Sequence, residues 1–427
     1  MPRPQRRCRG GRVTPKGTRP GEHRRERRPA GTLAEEPPLE QMLLDDAADV
    51  AAECAELDEA EVWASSSQVL FRSVGLGGPT VLPASSALAA AETCTNRSAA
   101  AVVAASISAY GPPRDRRRAA RLLEMFAESS EPLPRWICAI GDVTPRRAVM
   151  LTDDWGDERS VWIDYERSDG EMRGLGVSVN GSQGAYACHF VYGPPIEAVA
   201  AALAEQAYTV IRPLDLAEAR AMVDAALERR DHTDLDYDGE DGLDHELRAL
   251  VDQRVALLPD GGAQPPGGPT DEEIDGLCEE FVEVTEEAMP DEAESVASTV
   301  CRFAYAWCDG DPLCWSPRRV ESLLMDWIPA KSLCDDEWHD VVEWVFPLWL
   351  RFAAQRRGLA AELLELNLQA ARESFTYMRT NAADPANRSA TTNIVTEMLD
   401  DGIDLLDEEM VREWIDRYNA RPREERY

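Results

Sequence analysis

The residues whose spacing is most specific for chemistry are Asp234, Asp236 and Asp238, followed by Gly239. Oxygen ligands at alternate positions, with glycine sixth for a sharp turn, open a helix–loop–helix calcium site. The twelfth position should carry a bidentate glutamate, yet it is His245, and Glu246 comes one residue late. The triplet is thus a calcium-binding candidate without its closing ligand. The competing reading is an acidic loop held open by self-repulsion.

Three further groups invite chemistry. Trp155-Gly156-Asp157 falls in a strand connection, and with His189 it outlines a ligand site on a sheet. A packed turn tryptophan is the plainer reading of the same residues. Cys188-His189 cannot act as a dyad, because neighbours on a strand point to opposite faces. Cys301, Cys308, Cys314, Cys334 and His339 cluster in sequence, but none has the close cysteine spacing of a structural zinc site. They read as small buried hydrophobes. Phosphate-loop, dinucleotide, zincin and nucleophile-elbow motifs are absent, so no catalytic residue and no cofactor is assigned.

The aromatic residues concentrate between Cys301 and Leu359, with Trp307, Trp315, Trp327, Trp338, Trp344 and Trp349. Over Asp335–Arg357 the apolar arc covers more than half a helix, far beyond the stripe of about 100° that a surface helix needs. Trp338, Trp344 and Trp349 are therefore candidates for an interaction surface, against a reading as core. Pro347 should kink or split this helix.

Charge narrows the partners. The net charge is −34. Residues 1–28 hold eleven basic residues against Glu22 and Glu26, so the remainder carries −43. Such a body repels phosphate, and nucleic acid is not expected on its folded part. The arginines at 114, 116, 117, 118 and 121 crowd a helix start, where cations oppose the dipole, and are expected to pair with the chain's own carboxylates. No stretch is long and apolar enough to span a membrane, and no apolar core follows the basic start. Ten cysteines without paired spacing suit a cytoplasmic location.

These groups are positioned by a chain of changing character. Residues 1–33 read as a disordered basic tail, or as sequence ahead of a start at Met42. Residues 34–140 read as helical. Residues 141–258 read as a meander of three or four antiparallel strands with helices on one face, marked by Ser168-Asp169-Gly170 and Asn180-Gly181 turns. Residues 259–270 form a Pro/Gly linker. Residues 271–420 read as a Trp-rich helical domain, with Ser316-Pro317 as an N-cap and Gly358 as a C-cap.

Trp155-Gly156-Asp157, Asn180-Gly181, Arg248-Ala249-Leu250-Val251 and Leu257-Leu258-Pro259 together resemble segments of uncharacterised acidic proteins from high-GC actinobacteria. That resemblance implies no activity. The expected fold is α+β and predominantly helical, with a small antiparallel sheet and a separate all-α C-terminal domain. The expected function is a non-catalytic cytoplasmic interaction or scaffold protein with an unknown protein partner. The alternatives are an enzyme or small-ligand-binding protein with its site on the sheet, and a calcium-binding acidic loop.

Overall fold

The computed structural model describes residues 37–54, 57–66, 82–128, 133–180, 189–203, 209–231, 243–263, 269–285, 290, 292–308, 310–331 and 336–421. The basic tail, the Asp234, Asp236 and Asp238 triplet, Cys188 and Cys334 lie outside them. The elements run α1 (Leu39–Glu53), α2 (Leu57–Ser66), α3 (Ala84–Thr93), α4 (Arg97–Tyr110), α5 (Pro113–Ala127), β1 (Val143–Asp153), β2 (Arg159–Arg167), β3 (Met172–Asn180), β4 (Phe190–Gly193), α6 (Ile196–Leu203), β5 (Thr209–Leu214), α7 (Leu216–Asp231) and α8 (Leu243–Ala256). Then follow α9 (Asp271–Val284), α10 (Ala293–Trp307), α11 (Pro317–Glu321), α12 (Ile328–Lys331), α13 (Asp336–Arg357), α14 (Ala361–Ala383), α15 (Ala390–Asp400) and α16 (Glu408–Ala420). The fold is α+β and predominantly helical, with one small antiparallel sheet.

The first core runs from Leu43 to Leu258 and is shared by α1–α5, the sheet, α7 and α8. Its axis is α4, where every residue from Ala99 to Ile107 is buried. A helix apolar all round must be enclosed, and its many alanines let neighbours approach closely. Asn96 caps it by accepting from the Ala99 N–H at 3.2 Å. Arg118 forks onto Glu92 at 2.8 and 2.6 Å, so one of the crowded arginines does find a carboxylate of the chain.

The sheet has the order β4-β3-β2-β1-β5 and is antiparallel throughout. The meander expected from the turns accounts for β1–β4. The strand at Thr209–Leu214 returns to the far edge and pairs with β1, which makes five. One face packs on the first core and its helices, while the other meets, among the described residues, only the start of α6. Val161, Ile163 and Tyr165 of β2 face the first core. On the other face the α6 start is held by Asp164, whose Oδ1 accepts from the Ile196 N–H at 2.9 Å. On that second face Trp162 lies over the glycines of β3. A Cβ built on Gly176 would meet the Trp162 ring at 2.5 Å, and one on Gly174 would meet it at 2.2 Å. The small residues alternating along β3 are the seat of this indole.

The second core joins α9–α14. Trp349 is fully buried and meets Phe281 edge-on at 5.1 Å, while Trp315 meets Phe346 at 5.1 Å. Cys278 and Cys301 are buried as free thiols with their sulfurs 3.8 Å apart. The helix α13 is continuous through Pro347, so of the expected kink or split the split does not occur. Val345, Phe346, Trp349 and Leu350 are all buried around it. Their burial outweighs the ~3 kcal/mol that an internal proline costs. Between α11 and α12, Ser322–Trp327 forms a π-helical segment. Pro329 has no N–H for the Met325 carbonyl, and the Asn381 side chain donates to it instead at 2.9 Å. A small third cluster, with Trp414 stacked on Tyr418, closes the chain.

The two kinds of glycine separate by experiment. Gly176→Ala, which must displace Trp162, should cost about 1–3 kcal/mol of stability by urea unfolding. Gly276→Ala, on open helix surface, should be neutral or stabilise by about 0.5–1 kcal/mol.

Candidate functional site

Trp155 and Asp157 occupy the β1–β2 turn, and that turn is built into the C-terminal helices. Asp157 is fully buried and ion-paired with the equally buried Arg319, and it also accepts from the Ser316 hydroxyl. Arg319 in turn donates to the Cys314 carbonyl at 2.8 Å and to the Asp311 carbonyl at 3.1 Å. Trp155 donates its indole N–H to the Leu363 carbonyl on α14 at 3.4 Å. Gly156 makes the turn possible at φ 74°. Ser316 caps α11 by accepting from the Arg319 N–H at 3.1 Å, which is the N-cap its sequence implied.

His189 lies beside a neighbouring strand. It precedes β4, half-buried, and its carbonyl accepts from the Ser178 N–H of β3 at 2.9 Å. The register sets His189 two strands across from Ser160, at the same end of the sheet as the Trp155–Asp157 turn. Among the tryptophans, Trp349 is core, Trp338 is half-buried against the second core, and Trp344 is 39% exposed. Among the described residues, no cluster of His, Cys, Asp or Glu is placed to hold a metal ion.

A different set of residues forms an open groove of about 800 Å³ between α2 and the β3–β4 edge of the sheet. Asp58, Glu59, Val62, Trp63, Arg173, Tyr192, Gly193 and Pro194 line it. Asp58, Glu59, Val62 and Trp63 come from the first two turns of α2, and Arg173 and Tyr192 from the adjacent strands.

Beneath the groove lies a buried polar knot. Glu61 on α2 has no exposed surface, and Arg254 on α8 almost none. Arg254 Nη2 donates to Glu61 Oε1 at 2.8 Å, joined by the Gly141 N–H at 3.1 Å. Tyr192 donates to Glu61 Oε2 at 2.8 Å, and Tyr110 reaches Oε1 at 3.4 Å. Tyr165 completes the knot through the Arg254 carbonyl at 3.1 Å. Burial, and then the Glu61 carboxylate, push the Tyr192 and Tyr110 phenols well above their ordinary range. Burial works against the charge of Arg254, but Tyr110, Glu61 and Tyr192 outweigh it and hold the guanidinium more firmly protonated.

At the rim a second network fixes Asp58. Arg173 grips it through Nε at 2.6 Å and Nη2 at 2.5 Å. Arg167 pairs with Asp58, with Asp169 at 2.8 Å and with Glu171 at 2.6 Å. The third Arg173 nitrogen, Nη1, meets Glu171 at 2.6 Å. Asp58, Glu61, Arg173, Tyr192 and Arg254 did not stand out in the sequence, where an acidic helix start beside a tryptophan is ordinary. The pairs Arg173–Asp58, Tyr192–Glu61 and Arg254–Glu61 each span more than 100 residues.

No family model matches the chain, nor does any curated protein or solved structure.

Two predictions follow from the turn. Asp153 Oδ1 accepts from the Asp157 N–H at 2.7 Å, yet burial raises the Asp153 carboxyl from 3.8 to about 6. A carboxyl raised on folding stabilises fully below its unfolded pKa, and that contribution is lost as pH rises through the folded one. Asp153→Asn should therefore raise the melting temperature at pH 7.5, and the gain should shrink through pH 6 and vanish near pH 4. For the buried pair, Arg319→Met alone should cost about 3–5 kcal/mol by chemical denaturation, because Asp157 stays buried and charged. Adding Asp157→Leu should recover most of that loss.

Proposed function

We propose that the protein is a non-catalytic cytoplasmic binding protein whose ligand enters the groove between α2 and the β3–β4 edge. The observation that carries this reading is a preformed groove of about 800 Å³ over a floor where the Tyr192 hydroxyl and the Glu61 carboxylate are already partnered. Small-molecule sites fall in the range of about 300–1,000 Å³, with apolar and aromatic walls and a few fixed polar groups. Val62, Trp63, Pro194 and Tyr192 supply the walls.

The chemistry of the lining favours binding over catalysis. Tyr192 is committed as a donor to Glu61 and its phenol is hard to ionise, which suits neither a base nor a nucleophile. Asp58 is spent on two guanidiniums. This reading keeps a ligand site on the sheet region, as one sequence alternative expected, but carries it on other residues than Trp155, Asp157 and His189.

A second reading, a protein-interaction surface, rests on Trp344, the exposed tryptophan of α13. Trp349 cannot take part without unfolding the second core.

The groove is tested by ligand-observed NMR with a small fragment library on the wild type and on Pro194→Arg. Pro194 is exposed, so the arginine blocks the opening and spares the buried floor. Fragments that bind the wild type should lose at least tenfold in affinity in the variant. Undiminished binding, or a library without a single binder, would overturn the assignment.

A further inference from the structure

We infer that the groove selects a small organic cation, an ammonium or guanidinium group on an apolar body. This rests on the groove being the binding site, and it comes from the balance of charge and donors around the rim.

The rim brings two guanidiniums, Arg167 and Arg173, against four carboxylates, Asp58, Glu59, Asp169 and Glu171. Three of those carboxylates are engaged by the arginines. Glu59 is not, since its one hydrogen-bond contact among the described residues is the Cys54 thiol at 3.8 Å. It stands exposed on the groove wall, in a rim where carboxylates outnumber guanidiniums four to two. Behind the rim, Glu61 and Arg254 cancel each other.

An anion would find the opposite. The groups that normally receive a carboxylate or phosphate are free guanidinium donors, and here they are occupied. Arg173 directs Nε and Nη2 at Asp58 and Nη1 at Glu171, and the Arg167 side chain is 3% exposed. An incoming anion would have to displace a carboxylate already in place. It would also approach a chain of net charge −34, whose field repels anions and concentrates cations.

The walls complete the selection. Trp63 and Tyr192 offer aromatic surface, and the hydrogen bond from the Tyr192 hydroxyl to Glu61 fixes that ring. A cation within ~6 Å of an aromatic face is attracted by the ring quadrupole. A neutral ligand of the same shape would gain the apolar contact alone.

Isothermal titration at low salt with three probes of matched shape tests this: phenethylammonium, neutral 2-phenylethanol and anionic 3-phenylpropanoate. The proteins are the full-length wild type, Glu59→Gln and Pro194→Arg. Phenethylammonium should bind the wild type at least tenfold more tightly than the other two. Its affinity should fall several-fold in Glu59→Gln and be lost in Pro194→Arg, while melting temperatures stay close to wild type. If the neutral or anionic probe binds as well as the cation and Pro194→Arg still abolishes binding, the cation preference is overturned and the groove stands. Full affinity in Glu59→Gln would likewise overturn the charge assignment. If no probe binds, the cation inference fails. If the fragment library also yields nothing, the binding reading fails with it.

Discussion

One buried ion pair holds the first half of the chain together. Glu61 and Arg254 lie 193 residues apart in sequence and meet out of reach of water. Around them converge α2, α8, the end of α4, the entry to β1, and strands β2 and β4. Breaking such a pair by removing one partner typically costs about 3–5 kcal/mol, whereas apolar substitutes for both are often neutral. Its value is therefore geometric. Only one docking of the helices on the sheet brings a carboxylate, a guanidinium, two phenols and a backbone N–H to a single point. The same docking leaves the groove between α2 and the strand edge, so the cavity follows from how the knot is tied.

The two cores meet through a second device of the same kind. Asp157, at the tip of a hairpin of the sheet, reaches Arg319 and Ser316 of the helical half. Both contacts are charged or polar and both are buried. A purely apolar joint would tolerate sliding, but a buried carboxylate facing one guanidinium does not. The hairpin tip thus sets the register between the halves, which explains why a tryptophan and an aspartate flank its glycine.

Much of the architecture was legible from local pattern. Helical periodicity placed α13 and α14, the Ser316-Pro317 cap and Gly358 marked helix ends, and Asp169-Gly170 marked the β2–β3 turn. What was not legible depends on distant partners. The pairing of β5 with β1 needs the whole meander in place first. The seat of Trp162 on Gly174 and Gly176 depends on an indole from the neighbouring strand, which no local pattern supplies. The rim of the groove draws on α2, β3 and β4, and in a chain with 79 acidic residues no local rule distinguishes Asp58 or Glu61 from the others. Trp155 and Asp157 did announce themselves, and they proved to be joinery between the cores.

That joinery has a consequence during synthesis. The indole of Trp155 is satisfied by a carbonyl 208 residues further on. At about 5–20 residues per second, the hairpin tip waits roughly 10–40 s on the ribosome before α14 emerges to receive it. During that interval the later strands complete the sheet and Arg319 emerges to pair with Asp157, before the Trp155 indole reaches its own acceptor. The joint between the cores is therefore among the last contacts of the described residues that synthesis permits.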